Sequence, residues 1–227
     1  MEKKLRARLE EVEGRLEQAC RRAGRLRSEI TLVAVTKSVA ADVAALLPAL
    51  GLLDLGESRP QELWKKAAAL PGHIRWHLVG HLQRNKIDKT LPVTRLIHSV
   101  DSIRLLEALE AEAARQGRQL SVLLEINASR EPQKHGLELD SLPALLPVMD
   151  KLTHVRIQGL MTMAALEAEP EESRPTFAAL RDLRDRWQPQ LPPPHALKDL
   201  SMGMSNDFEV AVEEGATLVR LGTVLFG

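Results

Sequence analysis

The sequence predicts an α/β chain folded as one closed (β/α)8 barrel, preceded by an extra helix. Three observations carry that expectation. Short apolar runs and amphipathic segments alternate eight times along the chain. The runs are continuously apolar rather than alternating, as strands buried on both faces are. The eight units fill about 200 residues, the compact end of the size range for this barrel. An open doubly wound sheet is the competing architecture. No linker or composition shift cuts the chain, so residues 1–227 read as a single domain.

Residues 3–28 read as a helix, because Leu5, Leu9, Val12, Leu16, Ala19, Ala23 and Leu26 recur at spacings of three and four. Gly24 loosens it before a first strand at 31–36. Residues 40–50 read as a helix ending at Gly51, and 52–56 as a short strand closed by Gly56. A helix at 59–69 stops at Pro71-Gly72. A third strand at 74–79 ends at Gly80, and a short helix covers 82–89. The fourth strand spans 95–100, with an amphipathic helix at 102–115 closed by Gly117. The fifth strand spans 120–126. A helix at 140–150 is interrupted by Pro143 and Pro147. A sixth strand at 155–161 and a helix at 173–187 follow. After Pro192-Pro193-Pro194 come a strand at 197–202, a helix at 205–214 and an eighth strand at 217–221. The first helix is expected outside the barrel or across its floor.

Composition excludes several classes. Hydrophobic residues make up 44% of the chain, enough for a core, but aromatics are 3% and tyrosine is absent, so the core is aliphatic. Lys plus Arg and Asp plus Glu number 31 each, so no net field draws nucleic acid or an anionic membrane. The lone Cys20 excludes an internal disulfide framework and suits a reducing cytosol. The charged start at Met1-Glu2-Lys3-Lys4 does not resemble a signal peptide, and no apolar run reaches the ~20 residues of a membrane helix. Cytoplasmic location and a monomer are the expectations.

A (β/α)8 barrel carries its site at the C-terminal ends of its strands. Strand one ends in Leu32-Val33-Ala34-Val35-Thr36-Lys37, so a cationic amine closes a buried run. Such a lysine is either a snorkelling surface residue or a placed chemical group. Strand two ends at Gly56-Glu57-Ser58-Arg59 and strand three at Gly80-His81. Strand seven ends in Ser201-Met202-Gly203-Met204-Ser205, and strand eight in Arg220-Leu221-Gly222-Thr223. Small residues there let backbone N–H groups approach an anion, and hydroxyls add donors. Ser205 is also a candidate N-cap for the following helix. The alternative is that Gly203 and Gly222 serve only as turn residues. A lysine facing a phosphate cradle suggests pyridoxal 5′-phosphate (PLP) held as a Schiff base. Arg220, on the strand beside strand one, would meet the pyridine nitrogen. Its alternative is an ion pair with a strand-end carboxylate such as Glu57.

The runs Val35-Thr36-Lys37, Gly56-Glu57-Ser58, Trp76-His77-Leu78-Val79-Gly80-His81-Leu82-Gln83-Arg84-Asn85-Lys86, Gly159-Leu160-Met161, Leu200-Ser201-Met202-Gly203-Met204-Ser205 and Val219-Arg220-Leu221-Gly222-Thr223 resemble the pyridoxal phosphate homeostasis protein family. The family is also called the proline synthetase co-transcribed homologues. The resemblance runs from about residue 5 to the end of the chain, with every motif in order. It implies a single barrel like the N-terminal domain of alanine racemase, without a second β domain. It implies a Schiff base on Lys37, a pyridine contact from Arg220, and phosphate contacts from Ser201 or Ser205 with Gly222 and Thr223. Members are regarded as handlers of vitamin B6 with no established turnover. Where the family usually has Asn-Tyr, Ser58-Arg59 stand here, so Ser58 would meet the ring with a hydroxyl instead of an amide. A few residues beyond Gly227 are also expected by the resemblance.

Other signals point elsewhere. His73, His77 and His81 stand four apart, but on a strand each pair is about 13 Å apart, too far to share an ion. His81 is expected to line the pocket. Arg84, Lys86 and Lys89 form a basic cluster without aromatics, a solvated face. Lys134-His135-Gly136 lies in a loop of open role.

Three functions compete: a carrier that holds PLP for apo-enzymes, an amino-acid racemase-like enzyme, and a barrel enzyme acting on a phosphorylated metabolite without PLP. Racemases of this barrel type use a lysine and a tyrosine on opposite faces of the cofactor. The absence of tyrosine and of a second domain favours the carrier.

Overall fold

The computed structural model describes residues 1–129, 131, 135–164 and 169–227. Its strands are β1 (Thr31–Val35), β2 (Asp54–Glu57), β3 (Arg75–Leu78), β4 (Leu96–Val100), β5 (Leu120–Glu125), β6 (Val155–Met161), β7 (Asp199–Ser201) and β8 (Leu218–Leu221). They pair in chain order as a closed barrel. Every pairing is parallel, and β8 returns to β1 with Thr31 opposite Leu218 and Ala34 opposite Leu221. The open-sheet alternative is thereby excluded.

The helices are α1 (Glu2–Arg22), α2 (Ala41–Ala44), α3 (Pro60–Ala69), α4 (Ile87–Thr90), α5 (Ile103–Arg115), α6 (Leu142–Met149), α7 (Arg174–Trp187), α8 (Phe208–Glu213) and α9 (Thr223–Phe226). Helix α1 stops six residues before the expected end, because Gly24 takes a left-handed φ of 65°. It packs outside the barrel against α8, with Leu5, Val12, Leu16, Ala19 and Cys20 buried. Arg15 Nε donates to Glu209 Oε1 at 2.7 Å, and its guanidinium lies 4.6 Å from the Phe208 ring centroid. The expected helix at 40–50 reduces to α2 and a 3-10 turn at Pro48–Leu50, since Pro48 has no N–H to continue the ladder. Helix α9 was not anticipated; four residues are too few for an apolar period to show.

Two apolar layers follow from the period-two alternation of strands. Outward residues such as Leu55, Leu78, Ile97, Val122, Leu124 and Ile157 are buried under the helices in one large cluster. Replacing a fully buried leucine there by alanine would cost roughly 2–5 kcal/mol. Inside the barrel Val33, Leu96, Leu123, Met161 and Leu218 form a separate small cluster. Much of the remaining interior is polar: His77, His98, Glu125, Ser201 and Arg220 are all at most 5% exposed. That unusual interior leads directly to the mouth of the barrel.

Candidate cofactor site at the barrel mouth

A cavity of about 620 Å³ opens at the C-terminal ends of β1, β2, β3 and β8. Lys37, Ser58, Ser205, Arg220, Gly222 and Thr223 all line it. Its volume suits a drug-sized or cofactor-sized ligand. The Lys37 side chain makes no hydrogen bond or ion pair among the described residues. Its backbone is fixed from beneath by a second lysine. Lys66 Nζ, buried on α3, donates to the Thr36 carbonyl at 2.6 Å and to Glu57 Oε1 at 2.5 Å. Thr36 Oγ1 donates to the same carboxylate oxygen at 2.7 Å. Glu57 therefore belongs to Lys66 and not to Arg220, which removes the ion pair weighed above. The ends of β2 and β3 also close tightly. A Cβ on Gly80 would stand 2.2 Å from the Ser58 carbonyl oxygen, so only glycine fits that approach.

The loops after β7 and β8 are assembled differently from the expectation. Asp207, not Ser205, occupies the N-cap position of α8. Ser205 Oγ reaches across to the next loop and accepts from the backbone N–H groups of Gly222 and Val224, at 3.2 Å each. Two N–H donors thus converge on one oxygen at the cavity wall, where an anionic oxygen would be held equally well. Thr223 lies between them, its exposed hydroxyl without a partner among the described residues.

Arg220 is 5% exposed and borders the cavity. Its Nη1 donates to Ser201 Oγ at 2.6 Å and its Nη2 to the Thr162 carbonyl at 2.9 Å. Ser201 is fully buried and does not reach the cavity. It faces inward, where its Oγ lies 2.8 Å from His98 Nδ1. Of the two serines, Ser205 lines the cavity and Ser201 lies behind Arg220. The chain continues through His98 Nε2 to His77 Nδ1 at 2.8 Å, and His77 Nε2 to Asp54 Oδ1 at 3.0 Å. Arg75 closes the far end on Asp54. Burial would raise the Asp54 carboxyl, but hydrogen bonds from Arg75 and His77 hold it well below the usual range. Burial pushes the His98 imidazole far down, with the charges of His77 and Arg220 adding to the effect. Burial also lowers the Arg220 guanidinium to about 10, against the pull of Glu125 and Asp207, so it stays cationic near neutrality.

Glu125, at the end of β5, was not singled out from the sequence. It is 4% exposed, and burial raises its carboxyl to about 7; Asp101 adds to the rise while Arg220 and His81 oppose it. The signal that could have found it is a charged residue inside an otherwise apolar strand. Lys66, His77 and His98 were likewise missed as site supports. His81 turns away from the cavity, although its neighbour Gly80 lines it. His81 Nδ1 instead lies 2.8 Å from Asp101 Oδ2. Lys134 lies outside the described residues.

Fold and site together define the class. Residues 9–227 match the family described as alanine racemase, N-terminal domain. Alanine racemase of Clostridium difficile 630 superposes with a TM-score of 0.77 at 16% identity, over 99% of this chain and 56% of that one, which shows the fold alone. A relative from Aquifex aeolicus named pyridoxal phosphate homeostasis protein is 41% identical over 221 residues, covering 97% of this chain and 96% of its own. PipY of Synechococcus elongatus PCC7942, solved with PLP bound, superposes with a TM-score of 0.85 at 36% identity, over 98% and 100% of the two chains. The chain belongs to the pyridoxal phosphate homeostasis protein family within that class.

Proposed function

We propose that this chain binds pyridoxal 5′-phosphate and holds it for vitamin B6 homeostasis without turnover. One observation carries the reading. The unpartnered Lys37 amine, the paired N–H groups of Gly222 and Val224, and the Arg220 guanidinium all face one cavity. The donor set fits the cofactor: an amine for its aldehyde, an N–H pair and hydroxyls for its phosphate, a cationic donor for its ring nitrogen. Lys37 is assigned the Schiff base. Ser205, Gly222 and Thr223 hold the phosphate, and Ser58 lies against the ring. When bound, the cofactor supplies an aldehyde and an electron-accepting ring.

Arg220 has only donors, and it remains cationic. It therefore favours an unprotonated pyridine nitrogen, which weakens the ring as an acceptor of charge. The sequence has no tyrosine to serve opposite Lys37. A racemase-like enzyme is the second reading, and Glu125 is the observation that favours it, as a buried carboxyl near neutrality. The reading extends to apo-enzymes as recipients, a monomer, and the cytosol as compartment; the lone buried Cys20 thiol suits that compartment.

Titration of the apo-protein with PLP, followed by visible absorbance, tests binding. Saturation with a new visible band supports it, and an unchanged spectrum refutes it. Deuterium wash-in at Cα of alanine separates the two readings, because a carrier leaves the hydrogen in place.

A further inference from the structure

We propose that His81, Asp101 and His135 form a site for a divalent transition-metal ion of the zinc class on the rim of the barrel mouth. The three residues follow β3, β4 and β5 respectively, so three separate connections bring them together. One ligand atom from each lies within 4.8 Å of the others. His81 Nδ1 is 2.8 Å from Asp101 Oδ2, and the His81 and His135 rings are stacked at 23° with centroids 5.1 Å apart. Two imidazoles on one tetrahedral ion, with nitrogens about 2.0–2.1 Å from it, place their centroids roughly 5 Å apart. The rings are thus already near the separation that coordination needs. Two histidines and one carboxylate with a fourth position open to water is a zinc donor set.

Arg84 and Arg104 line a depression of about 280 Å³ with His81 and Asp101, and they oppose cation binding. The expected affinity is therefore micromolar rather than tighter. His77 takes no part in this site, because it points into the barrel, and the partners of His81 come from other loops. Because His81 directly follows Gly80 of the cofactor cavity, a bound ion would tie the segment after β5 to the cavity rim. The proposal does not rest on the cofactor reading.

The test is a Co2+ titration of tag-free, full-length protein followed by visible absorption. One equivalent should bind with the intense d–d bands of a tetrahedral site, and Zn2+ should displace it. His135→Ala, an exposed position that folding does not need, should weaken binding at least about tenfold, as should Asp101→Asn. His73→Ala should bind like the wild type. His135→Ala keeps any bound cofactor, so loss of its signal assigns the ion to this triad. Weak octahedral bands alone, or equal binding by His135→Ala, would overturn the proposal.

Discussion

Ser201 Oγ lies 2.6 Å from Arg220 Nη1 and 2.8 Å from His98 Nδ1. Arginine can only donate, so Ser201 accepts from it and gives its own proton to His98. His98 then carries its proton on Nε2 and donates to His77, which donates from Nε2 to the ionised Asp54. The opposite direction would need Ser201 to accept from both Arg220 and His98, leaving its own buried hydroxyl proton without a place in the line. The line therefore runs one way, from a guanidinium at the cavity to a carboxylate below, and it holds Arg220 in place.

Nitrogen-15 NMR should find His98 neutral and protonated at Nε2. Ser201→Ala leaves a buried imidazole nitrogen unpartnered and should lower stability by roughly 1–3 kcal/mol in urea denaturation. A protonated Nδ1 on His98 would contradict the direction assigned here.

Glu125 sets a pH dependence with a definite sign. Its carboxyl titrates near 7 when folded and near the ordinary 4.5 when unfolded. The folded state therefore binds more protons between those values, and stability must fall as pH rises through that window. The loss should be about 3 kcal/mol, complete above pH 7. Glu125→Gln should flatten the curve and be more stable than the wild type at pH 8. A wild type whose stability rises from pH 5 to 7 would show that Glu125 is ionised throughout.

Lys66 and Glu57 form the buried pair under Lys37. Lys66→Met leaves a buried carboxylate alone and should cost about 3–5 kcal/mol. Adding Glu57→Gln should recover much of that loss. It should not recover cofactor affinity, because the Lys66 bond to the Thr36 carbonyl remains missing. Additive losses in the double variant would dissolve the pair.

The cradle is tested by comparing PLP with pyridoxal, which lacks the phosphate. Ser205→Ala and Thr223→Val should weaken PLP by one to two decades, or roughly 1.5–3 kcal/mol, and pyridoxal far less. Equal losses for both ligands would place the phosphate elsewhere.

The barrel was legible because buried parallel strands advertise themselves as unbroken apolar runs, and glycines punctuate them. Lys37, Ser205, Arg220, Gly222 and Thr223 were legible because the fold rule sends every strand end to one mouth, and the structure gathers them around one cavity. Ser201 misled because a strand as short as β7 gives no pattern from which to read which face each residue takes. The N-cap position of α8 went to Asp207 for a related reason: the loop's path decides where the helix starts, and the Asp207 carboxylate accepts from Met204 N–H and the Ser173 hydroxyl instead of from the helix. Glu125, His77 and His98 were invisible as a group because their contacts join different strands. No local period encodes an interior hydrogen-bonded line.

The most direct test of the central claim is reduction with borohydride after PLP is added, followed by peptide mass spectrometry. The phosphopyridoxyl group should sit on Lys37, and Lys37→Ala should show no reducible linkage while retaining weak, phosphate-dependent binding. A label on Lys66 or another lysine, or undiminished labelling of Lys37→Ala, would contradict the assignment.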